Sequence, residues 1–345
     1  MKKTFTTSIF VAVLAFIAAT ANAKSWRVNS NTTQKADFVS LNAVISSSDV
    51  KDGDTIYLDP GCLLTDNQTL GANKTLTIVG PGYLRSGAPH QAATITGTLY
   101  IDNPNTKIEG VVVMGDINIR AQNVTIERCK TQTIKRYNAD YQAQYATIRQ
   151  CYVQGSIYGY GNSATQTSNW TIENNIIIYN GTTISNLLSP VIRNNYIKCS
   201  HTLSGYYAIY SVNYATIQNN ILLHTKHPNS LLNGVSDAIF TNNVMSCTST
   251  TYAGYAADNT FIASDDESLI FALEGTNDQQ YRLKEDSPAK GVADDGGDCG
   301  PFGGQRPYVV SGLPAGYPYY TKAVVGTKVE DGKVKVSLNI KMQDE

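Results

Sequence analysis

A short motif returns along this chain at a nearly fixed step, and that recurrence limits the possible folds more than any other feature. It reads VTIERC at Val124–Cys129, ATIRQC at Ala146–Cys151, WTIENN at Trp170–Asn175, VIRNN at Val191–Asn195, ATIQNN at Ala215–Asn220 and AIFTNN at Ala238–Asn243. The central apolar residues Ile126, Ile148, Ile172, Ile192, Ile217 and Phe240 follow at steps of 22, 24, 20, 25 and 23 residues. Weaker copies precede them, KIEGV at Lys107–Val111 and LTIVG at Leu76–Gly80. The step is too short for a βαβ unit, which takes roughly 30 residues, but it suits a coil of three short strands and three turns. In the coil opened by Trp170, Thr171–Glu173, Ile176–Ile178 and Thr182–Ile184 read as strands, with Gly and Asn as turn residues between them. One coil alone cannot bury its apolar side chains. Coils stacked about 4.8 Å apart pair every backbone group with a neighbour and share one core. Crossovers of this kind are right-handed. The expectation is an all-β chain, a right-handed single-stranded parallel β-helix with a capping helix and a small C-terminal β appendage.

The paired asparagines have a physical reason. Asn tolerates the left-handed conformation that a sharp strand-to-strand bend requires. Stacked in register, its amides also hydrogen-bond along the axis as a ladder. The second Asn of each pair supplies Asn175, Asn195, Asn220 and Asn243, and Cys129 and Cys151 hold the same position two coils earlier. Two outcomes stay open for those cysteines. Adjacent coils bring their Cα atoms within disulfide range, whereas strand stacking favours a pair of free thiols. None of the six cysteines forms a CxxC pair, which argues against a zinc site.

The ends differ from the repeats. Lys2 and Lys3, the apolar run Ile9–Ala19 and the small residues Ala21-Asn22-Ala23 read as a signal peptide over residues 1–23. A transmembrane anchor is the competing view, and the run is short for one. The expected product is exported to the periplasm or beyond, with no membrane span after cleavage. Residues 24–51 should form the N-terminal cap, with Asp37–Ser47 helical and Asp37 as its N-cap. The β-helix should occupy 52–305, with Tyr281–Gly304 as its last coils. Residues 306–345 should form a β appendage on or beside the last coil, because Val334, Val336, Leu338 and Ile340 alternate with polar residues.

The opening GDTIYLDPG, the TIxNN coils and the closing SPAKG…GGDCGPFGG resemble exported bacterial β-helix proteins of the pectin-lyase-like superfamily, over roughly residues 50–304. That resemblance implies a carbohydrate partner but no particular reaction. None of the four histidines, His90, His201, His224 and His227, lies in the Gly-His-Gly motif of the polygalacturonases. The aspartate motif of pectin esterases and the DPxD of mannuronan epimerases are also missing. Among enzymes, a polysaccharide lyase is expected before a glycoside hydrolase. A lyase needs a cation or calcium to neutralise a uronate and a base to remove the C5 proton.

Counting six and seven residues past the ladder position gathers Lys135, Arg136, Tyr158, His201, Lys226 and His227, with Tyr160 and Tyr206 nearby. Such a row would run about 24 Å and could hold an anionic polysaccharide, with Lys226 or His201 as the base. The competing view is a solvated loop edge. Tyr is abundant, 22 residues against 8 Phe, and its ring stacks on sugars, although it also suits strands. Calcium could sit on Asp265-Asp266-Glu267 or Asp294-Asp295, though such pairs are common in solvated turns. A formal net charge of -1 gives no reason to expect nucleic acid as a partner. Two functions stand: a polysaccharide-active enzyme, or a non-catalytic carbohydrate-binding, adhesive or structural surface protein. A long exposed apolar strip would favour the adhesive form.

Overall fold

The structure, a computed structural model, describes residues 23–71, 73–83, 92–160, 167–248, 250–252, 254, 258–275, 277–314, 316 and 318–342. The leader and His90 lie outside them.

The repeated TI strands pair in parallel and in register. Ile56, Ile78, Ile108, Ile126, Ile148, Ile172, Ile192, Ile217 and Phe240 face one another through coils 1 to 9. All nine are buried. Their strands and Ser25–Val28 make sheet A, ten strands long; a second ten-stranded sheet, B, and an eight-stranded sheet, C, complete each coil in the order A, B, C. The chain is a parallel β-helix. Its core is almost wholly aliphatic because successive residues of a strand point alternately in and out. In the coil of Trp170 the third strand is Ile184–Leu188, later than the spacing suggested. Trp170 is fully buried and its indole N–H donates to the Ala143 carbonyl.

The bend from sheet A to sheet B uses the two residues of each pair differently. The first is left-handed in every coil from the third to the ninth: Gly110, Arg128, Gln150, Asn174, Asn194, Asn219 and Asn242. The second points inward. Asn175 Nδ2 donates to Asn195 Oδ1 at 3.0 Å, Asn195 to Asn220 at 3.0 Å and Asn220 to Asn243 at 3.0 Å. Asn259 extends the ladder by one step that the motif did not reveal, accepting from Asn243 at 3.0 Å. At the other end the Cys151 N–H donates to Asn175 Oδ1 at 2.9 Å. Cys129 and Cys151 are free thiols.

The cap is a short helix, α1, spanning Leu41–Ser46, whose Leu41 and Val44 are buried. Its N-cap is Ser40, which accepts from the Ala43 N–H at 3.1 Å. Asp37 instead accepts from the Arg27 N–H at 2.8 Å, so the expected cap residue serves the first strand.

The C-terminal region departs most from expectation. The stack ends with Thr260–Phe261 in sheet B, and Tyr281–Gly304 adds no coil. After the turns of residues 267–291, the chain runs back down the outside of the A–B corner as a strap. Asn242 donates to the Val292 carbonyl, Asn219 exchanges two hydrogen bonds with Asp294, and Asn174 donates to the carbonyls of Pro301 and Gly303. Lower down, Gln150 donates to the Pro307 carbonyl and Arg128 to that of Leu313. The outward side chains of the left-handed corner residues thus hold the strap's backbone. At its far end Gly312 adopts φ +60°, and a Cβ there would lie 2.1 Å from the Tyr83 ring. Only glycine fits that contact and that conformation.

The strap and the turns before it cover the outer face of sheet B in coils 6 to 9, forming a second core of Ile176, Tyr196, Ile221, Leu223 and Val244 against Phe271, Tyr281 and Tyr308. Asp278 is sealed beneath, accepting from the Tyr308 hydroxyl and the Ser311 N–H. Burial pushes its carboxyl above the usual range despite those two donors. Beyond the strap, Pro318–Glu330 and Lys333–Met342 form an antiparallel hairpin. The chain enters it beside coil 3, where Pro314 abuts Gly110, and not beside the last coil.

Candidate functional site on the outer face of sheet C

Sheet B is covered in coils 6 to 9, and sheets A and C also present outer faces. On sheet A the charges answer one another: Glu127 pairs with Arg149 at 2.9 Å and Lys107 at 3.1 Å, and Glu173 with Arg193 at 2.7 Å. Burial works against the Glu127 charge, but those two cations hold its carboxyl below the usual range.

Sheet C presents a different column. Its outward residues, in register from coil 1 to coil 8, are Thr69, Tyr100, Asn118, Lys135, Tyr158, Ser185, Tyr210 and Asn233. Parallel pairing dictates the alignment, so the rings of Tyr100, Tyr158 and Tyr210 repeat along the axis at multiples of the coil spacing, about 4.8 Å. Beside Tyr100, Arg120 is held between rings: its guanidinium carbon is 4.0 Å from the centroid of Tyr100, 4.0 Å from Tyr137 and 5.3 Å from Tyr141. Asp102 pairs with it at 3.4 Å. Lys135 Nζ lies 2.6 Å from Asp116 Oδ2 and 5.8 Å from the Tyr158 ring. Burial opposes the Lys135 charge, yet Asp116 and Tyr158 outweigh it and raise the ammonium above its usual range. Lys135 therefore keeps its proton and its partner. It is not a base.

The sequence-predicted residues fall into two groups. Lys135 and Tyr158 are neighbours on sheet C. His201, Tyr206, Lys226 and His227 lie instead in the bends between sheets B and C of coils 7 and 8. There His201 stacks on Tyr206 at 3.7 Å between centroids, and the next coil clamps their loop. His224 Nε2 lies 2.9 Å from the Tyr206 carbonyl and His227 Nε2 2.7 Å from that of Thr202. Tyr207 of this loop stacks on Tyr210 at 5.4 Å, linking the two groups. Lys226 is exposed beside a shallow cleft shared with Pro228, Thr248 and Asp265, and its backbone N–H donates to Asp265 at 3.0 Å.

One expectation needs correction. Arg136 turns inward, fully buried, and donates to the Tyr160 carbonyl at 2.8 Å. As the third residue of a strand whose middle residue points out, it must point in. It cannot meet a ligand on this face, whereas Tyr160 itself is exposed. The acids offered for calcium are dispersed: Asp266 caps a turn at the Ser268 N–H, Glu267 holds Tyr196 and Lys198, and Asp294 holds Asn219. Among the described residues no cluster of three or more His, Cys, Asp or Glu could hold a metal ion.

Counting from the ladder missed Tyr100, Arg120, Tyr141 and Tyr210. The strand register reveals Tyr100 and Tyr210, and the ring contacts around Arg120 reveal Arg120 and Tyr141. A comparison with protein-family models and with curated proteins returned no match.

Proposed function

We propose that this chain is an exported β-helix protein that holds a polysaccharide along the outer face of sheet C. The axial column running from Tyr100 through Lys135 and Tyr158 to Tyr210 carries this reading. Tyr rings present an apolar face to a sugar ring and a hydroxyl to its rim. A chain lying along the axis would meet these side chains at multiples of the coil spacing, about 4.8 Å. The cations of the face already have partners in Asp102 and Asp116. Stacking therefore supplies the affinity, and binding should depend weakly on salt. The resemblance to pectin-lyase-like proteins supports a carbohydrate ligand.

Affinity electrophoresis against neutral glucans, mannans and galactans and against polyuronates tests this. At least one polysaccharide should retard the protein, and Tyr158→Ala and Tyr210→Ala should each weaken binding about tenfold, a loss of about 1.4 kcal/mol. Retardation unchanged in both variants would remove sheet C from the reading. Ultraviolet absorbance of unsaturated products from any substrate would make the protein a lyase instead.

A further inference from the structure

The C-terminal hairpin is amphipathic in a way the body does not use. Val325 pairs with Val336 and Val329 with Val334 across the two strands. Alternation adds Leu338, Ile340 and Met342 to that same face and sends Lys333, Lys335, Ser337 and Lys341 to the other, where Val324 pairs with Ser337 as an apolar exception. Every residue of Lys333–Met342 is exposed. The apolar face is bare: Val325 is 64% exposed, Val329 67%, Ile340 58% and Met342 62%.

Such a ribbon is incomplete by itself. Two strands without a covered face are marginally stable in water. The seven apolar side chains expose on the order of 600 Å², as much as the largest patch on a typical monomer and of the kind that marks an interface. The geometry points to a second copy of this chain as its cover. Related by a twofold axis, two such faces meet apolar against apolar. The lysine rows then point outward on opposite sides of a two-layer sandwich. Together the two faces would bury about 1,200 Å², the lower bound for a specific protein interface. A net charge of -1 sets no repulsion against self-association. A lipid surface fits less well. With the apolar face in the bilayer, the lysines lie a strand's thickness away from the headgroups, and screening over about 8 Å weakens their attraction. The hairpin is thus a dimerisation element, set apart from sheet C, so that this inference and the carbohydrate reading stand or fall separately.

Light scattering on the full chain across a concentration series tests it. The wild type should reach twice the monomer mass, Leu338→Lys should halve it, and Ser337→Lys on the opposite face should leave it unchanged. Because Leu338→Lys could simply unravel the ribbon, a second pair is needed. Leu338→Cys should form an inter-chain disulfide on mild oxidation, and Ser337→Cys should not. A wild type that stays monomeric at about 100 µM, or equal crosslinking at both positions, overturns the proposal. So does a monomer that sediments with anionic vesicles and loses that property in Leu338→Lys, which would assign the face to lipid.

Discussion

One side chain of Asn220 joins three coils. Its Nδ2 reaches the Ile192 carbonyl at 2.8 Å, the Gln218 carbonyl at 2.9 Å and Asn243 Oδ1 at 3.0 Å, while its Oδ1 accepts from the N–H and Nδ2 of Asn195. It is fully buried. Asn220→Ala removes these partners and leaves buried donors and acceptors above and below without a bond, each worth about 1–3 kcal/mol. A loss of about 3 kcal/mol in the free energy of unfolding is expected from denaturant titration. A loss below about 1 kcal/mol would mean that the ladder only decorates the bend. This residue was legible in the sequence because its role depends on spacing alone. A residue at a fixed place in every coil must stack on its own kind.

At the scale of elements, the two asparagines of a pair separate cleanly, and Asn174 tests the outer one. It combines φ 54° with two hydrogen bonds to the strap, at 2.9 Å to Pro301 and 2.8 Å to Gly303. Asn174→Gly keeps the backbone conformation at no steric cost and deletes only the bonds. Asn174→Ala deletes the bonds and strains the backbone as well. Amide exchange over residues 300–304 should quicken in both variants, while Asn175 and Asn195 keep their protection in the glycine variant. Equal, global acceleration in the two would show that the corner, not the strap, depends on this side chain. The sequence marks the strap only through its GGDCGPFGG run, because most of its hydrogen bonds use main-chain carbonyls, which carry no residue signature. The candidate face was half legible for a related reason. Six residues past the ladder position falls on Lys135 in sheet C when the coil is short. In coil 7 the same offset falls on His201, in a bend, because sheet C resumes only at Ile209. Loops of unequal length between sheets B and C defeat any fixed count, while strand pairing restores the alignment and brings in Tyr100 and Tyr210.

Over the whole molecule, cohesion comes from stacking and the strap, not from covalent bridges. All six cysteines are free and buried. Burial raises their thiols above the usual range, Cys129, Cys247 and Cys299 to about 12, so the reactive thiolate is scarce at neutral pH. The thermal midpoint should be the same with and without a reductant. A thiol reagent should count six groups in denaturant and almost none beforehand. A midpoint that drops on reduction would mean a bridge is present.

Solenoids lengthen readily when a coil is duplicated, since each contacts only its neighbours. This one carries its own ruler. A segment anchored near the last coil and again at Tyr83 passes the intervening corners in a fixed phase. Inserting a single coil would lengthen the column by about 4.8 Å while the strap stayed the same length, throwing every anchor below the insertion out of phase. Viable relatives of different length should therefore change both segments together, adding one or two strap residues for each coil gained.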